Sequence, residues 1–288
     1  MKDLEKVRGR RGVWVVRLTA LVSVQNQDSQ LSACLRALSF CDEVVVVADR
    51  CTDRSQDIAR RQGAKLIDGI FPLESQRKAA GLDACSGDWI LELDADEVVD
   101  RALAWEIRAV LQMKPASDFF EIPIDNYVGD VLVRDGWSSG LSAARGVRLY
   151  KRGMKAWRPH RRDEGQPLDG ATPGQLKGAI RRYLGSDIGG LFERLNRLTG
   201  LAAEDLADHG QRNARKAGAL TAISLFLGSY VARGGWREGR LGLLVALLNA
   251  MYPVVTQMRA REVLQAREAA VVEAARPTRI PGVVGLTR

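Results

Sequence analysis

Residues 87–97 read Gly-Asp-Trp-Ile-Leu-Glu-Leu-Asp-Ala-Asp-Glu and join an apolar run to a group of acids. The run from Trp89 to Leu93 predicts a short buried β-strand, and Gly87 marks a break in the chain before it. The acids at positions 94–97 would therefore lie at the carboxyl end of that strand.

Three further predicted strands precede this one, and a segment with helical spacing follows each of them. They are Leu18–Val24, Val44–Val47 and Lys65–Ile67. Single helices between buried strands indicate right-handed βαβ crossovers and a parallel sheet. Ligands of such sheets bind beyond the carboxyl ends of the strands, so the residues just after each strand are the candidate site residues.

The predicted strand ends carry acids and amides and no glycine-rich phosphate loop. Neither GxGxxG nor GxxxxGK[ST] follows them, which argues against a dinucleotide-binding fold and a P-loop. Asp94 and Asp96 are separated by one residue, and like charges so close favour a bound divalent cation. Their oxygen atoms would select Mg²⁺ or Mn²⁺, which could bridge the two phosphates of a nucleotide diphosphate. The alternative is an acidic turn that caps a helix starting near Asp100.

The composition narrows the class of protein. The 288 residues suggest roughly two structural units. The formal net charge of +8 favours anionic partners, but no aromatic and basic pattern supports nucleic-acid binding. Only His160 and His209 are present, which nearly excludes a histidine-rich metal site. Four cysteines without CxxC spacing indicate a reduced, cytosolic protein.

Two apolar segments in the last third of the chain, Ala219–Ala232 and Leu241–Val255, have arginines at their ends. Because Asn249 and Pro253 interrupt the second and no window reaches ~20 uninterrupted apolar residues, the chain is predicted not to span a membrane. No signal peptide is predicted either. The segments suit a helix pair in the cytoplasmic face of an anionic membrane, or an amphipathic pair packed on the domain or on a second subunit.

Four segments together resemble family 2 glycosyltransferases with the GT-A fold: Val22–Asn26, Val45–Asp53, Gln76–Ala79 and Gly87–Glu97. The segment Tyr230–Gly242 is similar to the C-terminal signature of the lipopolysaccharide-core β-glucosyltransferase branch of that family. The resemblance implies an α/β, GT-A nucleotide-diphospho-sugar transferase fold, with βαβ units, a mostly parallel sheet and a C-terminal helical extension.

The expected domain organisation follows from this resemblance and from the change in composition near residue 170. It has four parts: a basic N-terminal arm and strand lead-in (1–17), the GT-A catalytic domain (18–170), a helical and possibly membrane-interfacial region (171–265), and a flexible tail (266–288).

The resemblance also implies roles for individual positions. Nucleotide-binding roles fall on Val22 and Gln25 beside the base, Asp49 on the base itself (commonly uracil), Lys78, and Asp94, while metal binding falls on Asp96 with Asp94. The chain departs from the family where Gln25-Asn26-Gln27 replaces the usual Lys-Asn-Glu, and where Arg50-Cys51 replaces a Gly-Ser pair. Arg50 beside Asp49 could change which base is bound.

Sugar transfer with inversion needs a carboxylate that takes the proton of the acceptor hydroxyl. A free Asp or Glu has a pKa of about 4 and is ionised at neutral pH. The family places this base in a segment that matches residues 157–164, so Glu164 is the first candidate and Asp163 the second, with His160 as a neighbour. A solvated charged loop is the alternative interpretation of this segment.

The expected function is a metal-dependent, inverting glycosyltransferase on the inner face of the cytoplasmic membrane. Its donor would be a nucleotide sugar, with a UDP-sugar favoured, and its acceptor a lipopolysaccharide-core or other envelope glycan, or a lipid-linked precursor. Two alternatives remain. Asp94-Ala-Asp-Glu-Val98 also fits the DxDx[TV] pattern of haloacid-dehalogenase-like phosphatases, with Asp94 as nucleophile. The other is a catalytically degenerate, membrane-associated scaffold.

Overall fold

A computed structural model of the chain describes residues 16–71, 74–138, 140–155, 173–208 and 219–274. Within these residues the strands are β1 (Leu18–Val24), β2 (Glu43–Asp49), β3 (Lys65–Gly69), β4 (Trp89–Asp94), β5 (Glu97–Val99), β6 (Phe119–Val128), β7 (Val131–Val133), β8 (Arg145–Lys151), β9 (Gly174–Gln175) and β10 (Ile180–Tyr183). The helices are α1 (Asp28–Ala37), α2 (Ser55–Arg61), α3 (Glu74–Ala84), α4 (Arg101–Gln112), α5 (Ile188–Asp208), α6 (Ala219–Leu227) and α7 (Gly239–Ala274).

The first four strands form a parallel layer in the order β3-β2-β1-β4. Val22 of β1 lies between Val46 of β2 and Leu93 of β4, so apolar residues are matched across the layer. The sheet continues through β8, β6, β10 and β5, and β8 runs antiparallel to both β4 and β6. The carboxyl ends of β1, β2 and β4 therefore meet at one edge, as the sequence predicts.

Helices cover both faces of this layer because its strands are apolar on both sides. Helices α1, α2 and α4 pack on one face, where Val22 and Leu93 belong to the same buried cluster as Leu31 and Leu103. Helix α3 packs on the other face, and Gly81 lets its backbone approach the strands, since a Cβ there would lie 2.6 Å from Leu21 Cδ1. The predicted α/β class, with a mostly parallel sheet and a helical extension, is confirmed.

The C-terminal helices pack on the far half of the sheet and on one another. Val245 and Leu248 of α7 belong to the same buried cluster as Leu191 of α5. Val133 of β7 and Trp137, which follows β7 in the chain, complete the contact. The Asn249 side chain strengthens this contact, since it accepts from Ser138 Oγ at 2.7 Å and donates to the Gly136 carbonyl at 3.0 Å. The segment of α7 around Asn249 is thus fixed to the domain that carries the sheet.

The structure differs from the expected boundaries at two points. Strands β9 and β10 follow residue 170, so the sheet extends to Tyr183 before the helical region begins. Both strands are short, and β10 contains Arg181 and Arg182, so no apolar run in the sequence predicts β10. At the other end α7 continues to Ala274, beyond the expected start of the tail at 266.

The prediction that Asn249 and Pro253 interrupt the second apolar segment is wrong. Helix α7 passes through both residues, and it stays packed on either side of the proline through buried Leu248 and Thr256. The stretch Gly235–Val271 is long and apolar enough to cross a membrane by length and composition alone. One such helix is weak evidence for a span, and part of its apolar surface is buried against the protein.

Candidate active site

A cleft of about 1030 Å³ lies at the carboxyl edge of the parallel layer, where ligands of such sheets bind. Its walls come from the end of β1, from the turn after β4 and from helix α5. Gln25 follows β1, Asp96 lies in the turn after β4, and Arg194 lies on α5. Arg197 also lines the cleft, about one helical turn after Arg194. Among the predicted nucleotide-binding and metal-binding residues that the structure describes, Gln25 and Asp96 line this cleft.

Two residues with left-handed backbone shape the edge of the sheet. Asn26 follows β1 with a φ of 51°, and Arg50 follows β2 with a φ of 50°. The Asn26 side chain accepts a hydrogen bond from the Thr52 amide at 2.7 Å and so ties the two turns together. Asparagine tolerates this conformation better than most residues, which explains its place there. The turns hold Gln25 and Asp49 at the strand ends.

The acids of the 94–97 segment are paired with arginines from distant parts of the chain. Asp94 accepts from Arg148 at 3.4 Å and from Arg182 at 3.2 Å, and its side chain is 40% exposed. Glu97 is fully buried, accepts from Arg148 at 2.9 Å and also contacts Arg182. The Asp94 amide donates to the Glu97 carboxylate at 2.8 Å, which fixes the turn between the two acids.

Burial and the two arginines act in opposite directions on these acids. Burial works to raise the pKa of Asp94, but the charges of Arg148 and Arg182 outweigh it and hold that pKa well below its usual range. For Glu97 burial prevails, and its pKa lies above the usual value in spite of the same arginines. Asp94 is therefore ionised at neutral pH, as a ligand for a cation must be.

Asp96 has a different environment, because only one of its two carboxylate oxygens has a hydrogen-bond partner among the described residues. Its Oδ2 atom accepts from Arg194 at 2.8 Å, and its side chain is only 4% exposed. Its Oδ1 atom is buried and has no hydrogen-bond partner among the described residues. A buried carboxylate oxygen without a partner is costly and rare, so it needs an explanation. The cleft beside it offers one, since a bound cation or donor group would satisfy it.

A divalent cation fits this donor set in part. In the described part of the chain no group of three or more acids, histidines or cysteines is arranged so that it could hold a metal ion by itself. Mg²⁺, however, is commonly held by one or two carboxylates while substrate phosphates and waters complete the shell. The open oxygen of Asp96 and the half-exposed Asp94 would hold such an ion, which would offset charge on a diphosphate.

Asp49 ends β2 in a closed environment. It is 3% exposed, pairs with the Arg50 guanidinium at 3.1 Å and accepts from the Phe71 amide at 3.1 Å. The hydrogen bond with Asp49 raises the pKa of Arg50. Arg50 is one of the residues that differ from the family pattern. It pairs with the Asp49 carboxylate, which the resemblance assigns to hydrogen bonding with the nucleobase.

Val22 and Lys78 lie inside the protein. Val22 is fully buried between α1 and the strands. Lys78 pairs with Glu92 of β4 at 3.2 Å, and Glu92 also accepts from Lys155 and from the Tyr150 hydroxyl, each at 2.9 Å. Burial works to raise the pKa of Glu92, but the two lysines hold it well below its usual range. We call this group, with Glu92, Lys78, Lys155 and Tyr150, the Glu92 cluster.

The candidate bases cannot be placed, because Glu164, Asp163 and their neighbour His160 lie outside the described residues. Asp53, by contrast, bridges two helix starts, with the Ser55 amide at 3.0 Å and the Asp28 amide at 2.9 Å. Asp53 therefore caps the start of α2 and ties it to the start of α1. Asp100 also caps a helix, since it accepts from the Leu103 amide at 2.9 Å.

Three arginines near the acids, Arg182, Arg194 and Arg197, were not predicted from the sequence. Arg182 lies in the short strand β10, and Arg194 and Arg197 lie on α5, about 100 residues after Asp96 in the chain. The available signal was the spacing on α5, where Arg194 and Arg197 are three residues apart and share a helix face. Nothing local in the sequence connects that face with the acids after β4.

Comparison with curated proteins identifies relatives by sequence. The chain is 25% identical over 263 residues to the lipopolysaccharide core biosynthesis glycosyltransferase LpsC of Rhizobium meliloti, which covers 87% of this chain and 94% of that protein. It is 30% identical over 95 residues to an uncharacterized glycosyltransferase of Rickettsia felis, covering 33% of this chain and 34% of the relative. No family model matches the chain.

Solved structures with a similar fold are more distant. The Staphylococcus aureus TarS 1–349 structure has a TM-score of 0.43 and 14% identity, covering 87% of this chain and 92% of that one. Glucosyl-3-phosphoglycerate synthase from Mycobacterium tuberculosis, in complex with Mn²⁺ and UDP-glucose, has a TM-score of 0.33 and 16% identity, covering 39% of this chain and 44% of that one. At this distance neither structure assigns a role to a residue of this chain.

Proposed function

We propose that this chain, a glycosyltransferase by its sequence relatives, is an inverting enzyme that uses a nucleotide-sugar donor and a divalent metal. Its acceptor in this proposal is a lipopolysaccharide-core or other envelope glycan. The observation that carries the proposal is Asp96, a buried carboxylate with an unpartnered oxygen in the wall of a cleft at the carboxyl edge of the sheet. The glycosyltransferase class displaces the phosphatase alternative for the same acids.

The donor would bind with its diphosphate between the turn after β4 and helix α5. Asp96 and Asp94 would hold Mg²⁺ or Mn²⁺, and Arg194 and Arg197, which line the cleft beside Asp96, would add positive charge from helix α5. When bound, the metal offsets the charge that develops on the departing nucleoside diphosphate. Gln25 lines the cleft near the end of β1, on the side proposed for the nucleobase.

The base of the donor is proposed to be uracil, because the resemblance places Asp49 on the base. Arg50 holds the Asp49 carboxylate and donates to the Phe71 carbonyl at 3.3 Å, so the two side chains would form this part of the site as a pair. Lys78 lies in the Glu92 cluster below the strand ends, and Val22 forms the floor under the first turn. Both would shape the nucleotide site from within.

Inversion requires attack on the sugar carbon from the face opposite the leaving diphosphate. A carboxylate must accept the proton of the attacking hydroxyl, and we assign this to Glu164, with Asp163 as second candidate. Arg148 lies in β8, the strand before the segment that carries these acids, and it contacts both Asp94 and Glu97. This connection would bring the base and the metal-binding acids to one side of the sheet.

The acceptor assignment comes from the relative that matches most of the chain, whose name places it in lipopolysaccharide core biosynthesis. Such glycans are built on lipid carriers or lipid anchors, so we place the enzyme at the cytoplasmic face of the membrane. Support comes from exposed apolar residues on α6 and α7. One row, on α6 and the helical turn Gly228–Ala232 that follows it, consists of Leu220, Ile223, Leu227 and Val231. The other row, on α7, consists of Leu243, Leu247 and Met251, and each of these seven residues is between 41% and 83% exposed.

The charges around these rows fit an anionic surface. Arg233 and Arg237 lie between the two helices in the chain, Arg240 lies in the first turn of α7, and Trp236 is 56% exposed. The opposite side of α7 is fixed to the sheet domain through Asn249 and Val245, so the helix would lie in the interface rather than cross it. The proposal is therefore peripheral membrane attachment.

The donor proposal is tested with a panel of nucleotide sugars and nucleoside diphosphates in Mn²⁺. We expect uridine diphosphate to raise the melting temperature only when Mn²⁺ is present, and UDP-sugars to release uridine diphosphate. A shift with another base would correct the base alone. Absence of nucleoside diphosphate release from every donor, even with lipopolysaccharide-core acceptors, would favour the degenerate scaffold.

The membrane proposal is tested by flotation of the full chain with vesicles. We expect binding to vesicles that contain phosphatidylglycerol and loss of binding in Leu243→Glu/Leu247→Glu. Trp105→Glu is the matched control, since Trp105 is 77% exposed on α4, away from the two rows. Equal binding by the two variants, or a dimer that the double variant alone dissociates, would contradict the proposed membrane surface.

A further inference from the structure

We propose that Arg194 is a positioning residue that occupies Asp96 in the donor-free enzyme and moves to the donor diphosphate when a divalent cation takes Asp96. The inference rests on the proposed function, because it assumes a nucleotide donor and a metal at Asp96. It adds a residue from the C-terminal helices to the donor site and makes metal binding dependent on the nucleotide.

The first observation is the geometry of the pair. The Arg194 guanidinium donates to Asp96 Oδ2 at 2.8 Å, and both side chains are nearly buried, at 11% and 4% exposure. Both residues line the cleft. Since the other Asp96 oxygen is buried without a partner, the arginine occupies only half of the carboxylate. The site is thus held in place while one oxygen stays available.

The second observation is the charge balance. Three carboxylates, Asp94, Asp96 and Glu97, contact three guanidiniums, those of Arg148, Arg182 and Arg194. A divalent cation alone would add two positive charges to this compensated group, and a diphosphate alone would add negative charge beside Asp94 and Asp96. Arriving together, the cation and the diphosphate compensate each other. Each ligand should therefore bind weakly without the other.

The third observation identifies Arg194 as the arginine that can move. Arg182 contacts both Asp94 and Glu97 and donates to Ser142 Oγ at 2.9 Å, so several bonds hold it. Arg194 reaches a single carboxylate, and its Nε donates to the Leu141 carbonyl at 3.0 Å. Helix α5 carries it along the cleft wall, where a donor diphosphate would lie on the path of its guanidinium.

The test measures Mn²⁺ and uridine diphosphate binding to the full chain separately and together, by electron paramagnetic resonance and calorimetry. In the wild type we expect uridine diphosphate to tighten Mn²⁺ binding by about tenfold or more. In Arg194→Met, Mn²⁺ alone should bind about tenfold more tightly than in the wild type, because Asp96 is released. Uridine diphosphate in Mn²⁺ should bind about tenfold more weakly, because its arginine is lost.

Arg181→Met is the matched control, since Arg181 lies on the neighbouring strand β10 and pairs with Asp100 at 3.2 Å. It should leave both affinities unchanged, while Arg194→Lys should retain most of the nucleotide affinity. Unchanged Mn²⁺ affinity in a folded Arg194→Met protein would overturn the proposed exchange. If instead the wild type binds uridine diphosphate equally well without Mn²⁺, the metal assignment of the proposed function fails, and with it the exchange.

Discussion

Two charged clusters adjoin strand β4, and they differ in how completely their charges are paired. In the Glu92 cluster both carboxylate oxygens have partners, from Lys78, Lys155 and Tyr150. In the cluster of Asp94, Asp96 and Glu97, which we call the edge cluster, one buried oxygen of Asp96 has no partner in the described chain. The closed cluster supports the fold, and the open one, beside the cleft, is suited to a ligand.

The position of each acid along the strand explains the difference. Glu92 lies two residues before the end of β4, on the face that α3 and Tyr150 cover, so its partners must come from the protein. Asp96 lies in the turn beyond the strand, where the cleft begins. Glu92 is therefore structural, whereas Asp96 is placed to meet a ligand.

The largest expected effect is on stability, from Glu92→Ala. Removing this carboxylate leaves Lys78 and Lys155 buried without their shared anion, and breaking a buried pair costs about 3–5 kcal/mol. Asp118→Ala is the control, because Asp118 and Lys151 are 46% and 56% exposed and such pairs are worth at most about 1 kcal/mol. Chemical denaturation of both variants measures the difference, and similar losses would remove the structural role of the Glu92 cluster.

The next effect is on activity, from Asp96→Asn. The proposed cation ligand is lost, so donor turnover should fall by about 10²–10³, as for removal of one electrostatic contact to a transition state. Stability should change little, since the amide can still accept from Arg194. Asp57→Asn is the control, with a side chain 63% exposed on α2. Turnover of the Asp96 variant at the control rate would place the cation elsewhere.

A smaller effect is expected on the melting temperature when the pH is lowered. The pKa of Glu92 is depressed in the folded state, whereas in the unfolded chain it is about 4.3. Its contribution is therefore fully present above pH about 4.3 and is lost as the pH falls toward the folded-state value. The melting temperature should drop steeply below pH about 4, and the drop should be shallower in Glu92→Gln. Parallel curves for the two proteins would show that Glu92 does not control acid stability.

The smallest expected effect is on the alkylation rates of two cysteines, Cys34 near the edge cluster and Cys85 near the Glu92 cluster. Burial, together with the acids of the edge cluster, raises the pKa of the Cys34 thiol, and burial raises the pKa of Cys85 to about 12. Both thiols should resist alkylation at pH 8. In a folded Glu92→Ala protein, labelling of Cys85 should accelerate more than that of Cys34, as mass spectrometry of peptides would show. The reverse order would indicate that the two clusters are not separate units.

The sequence predicts the parallel half of the molecule well and the other half poorly, for a physical reason. Buried runs such as Leu18–Val24 and Trp89–Leu93 carry their own apolar signal, so strands, helices and the position of the site could be read locally. Strand β10 is short and includes arginines, and its burial depends on pairing with β5 and β6. Such elements are set by distant contacts.

The candidate site divides in the same way. Asp96 and Gln25 were found because they follow apolar strands, and the structure places both in the cleft wall. Arg194 lies on α5, about 100 residues after Asp96 in the chain, so no local spacing in the sequence predicts that the two side chains pair. Likewise the pairing of Lys78 with Glu92 follows from the packing of α3 on β4, which no motif encodes.

The most direct test is anomalous diffraction at the manganese edge from crystals of the full chain grown with MnCl₂ and uridine diphosphate. We expect one strong peak within bonding distance of Asp96 Oδ1 and of the diphosphate, with Arg194 turned from Asp96 toward the phosphates. Bound uridine diphosphate with no manganese at Asp96, and with the Arg194–Asp96 pair intact, would contradict it.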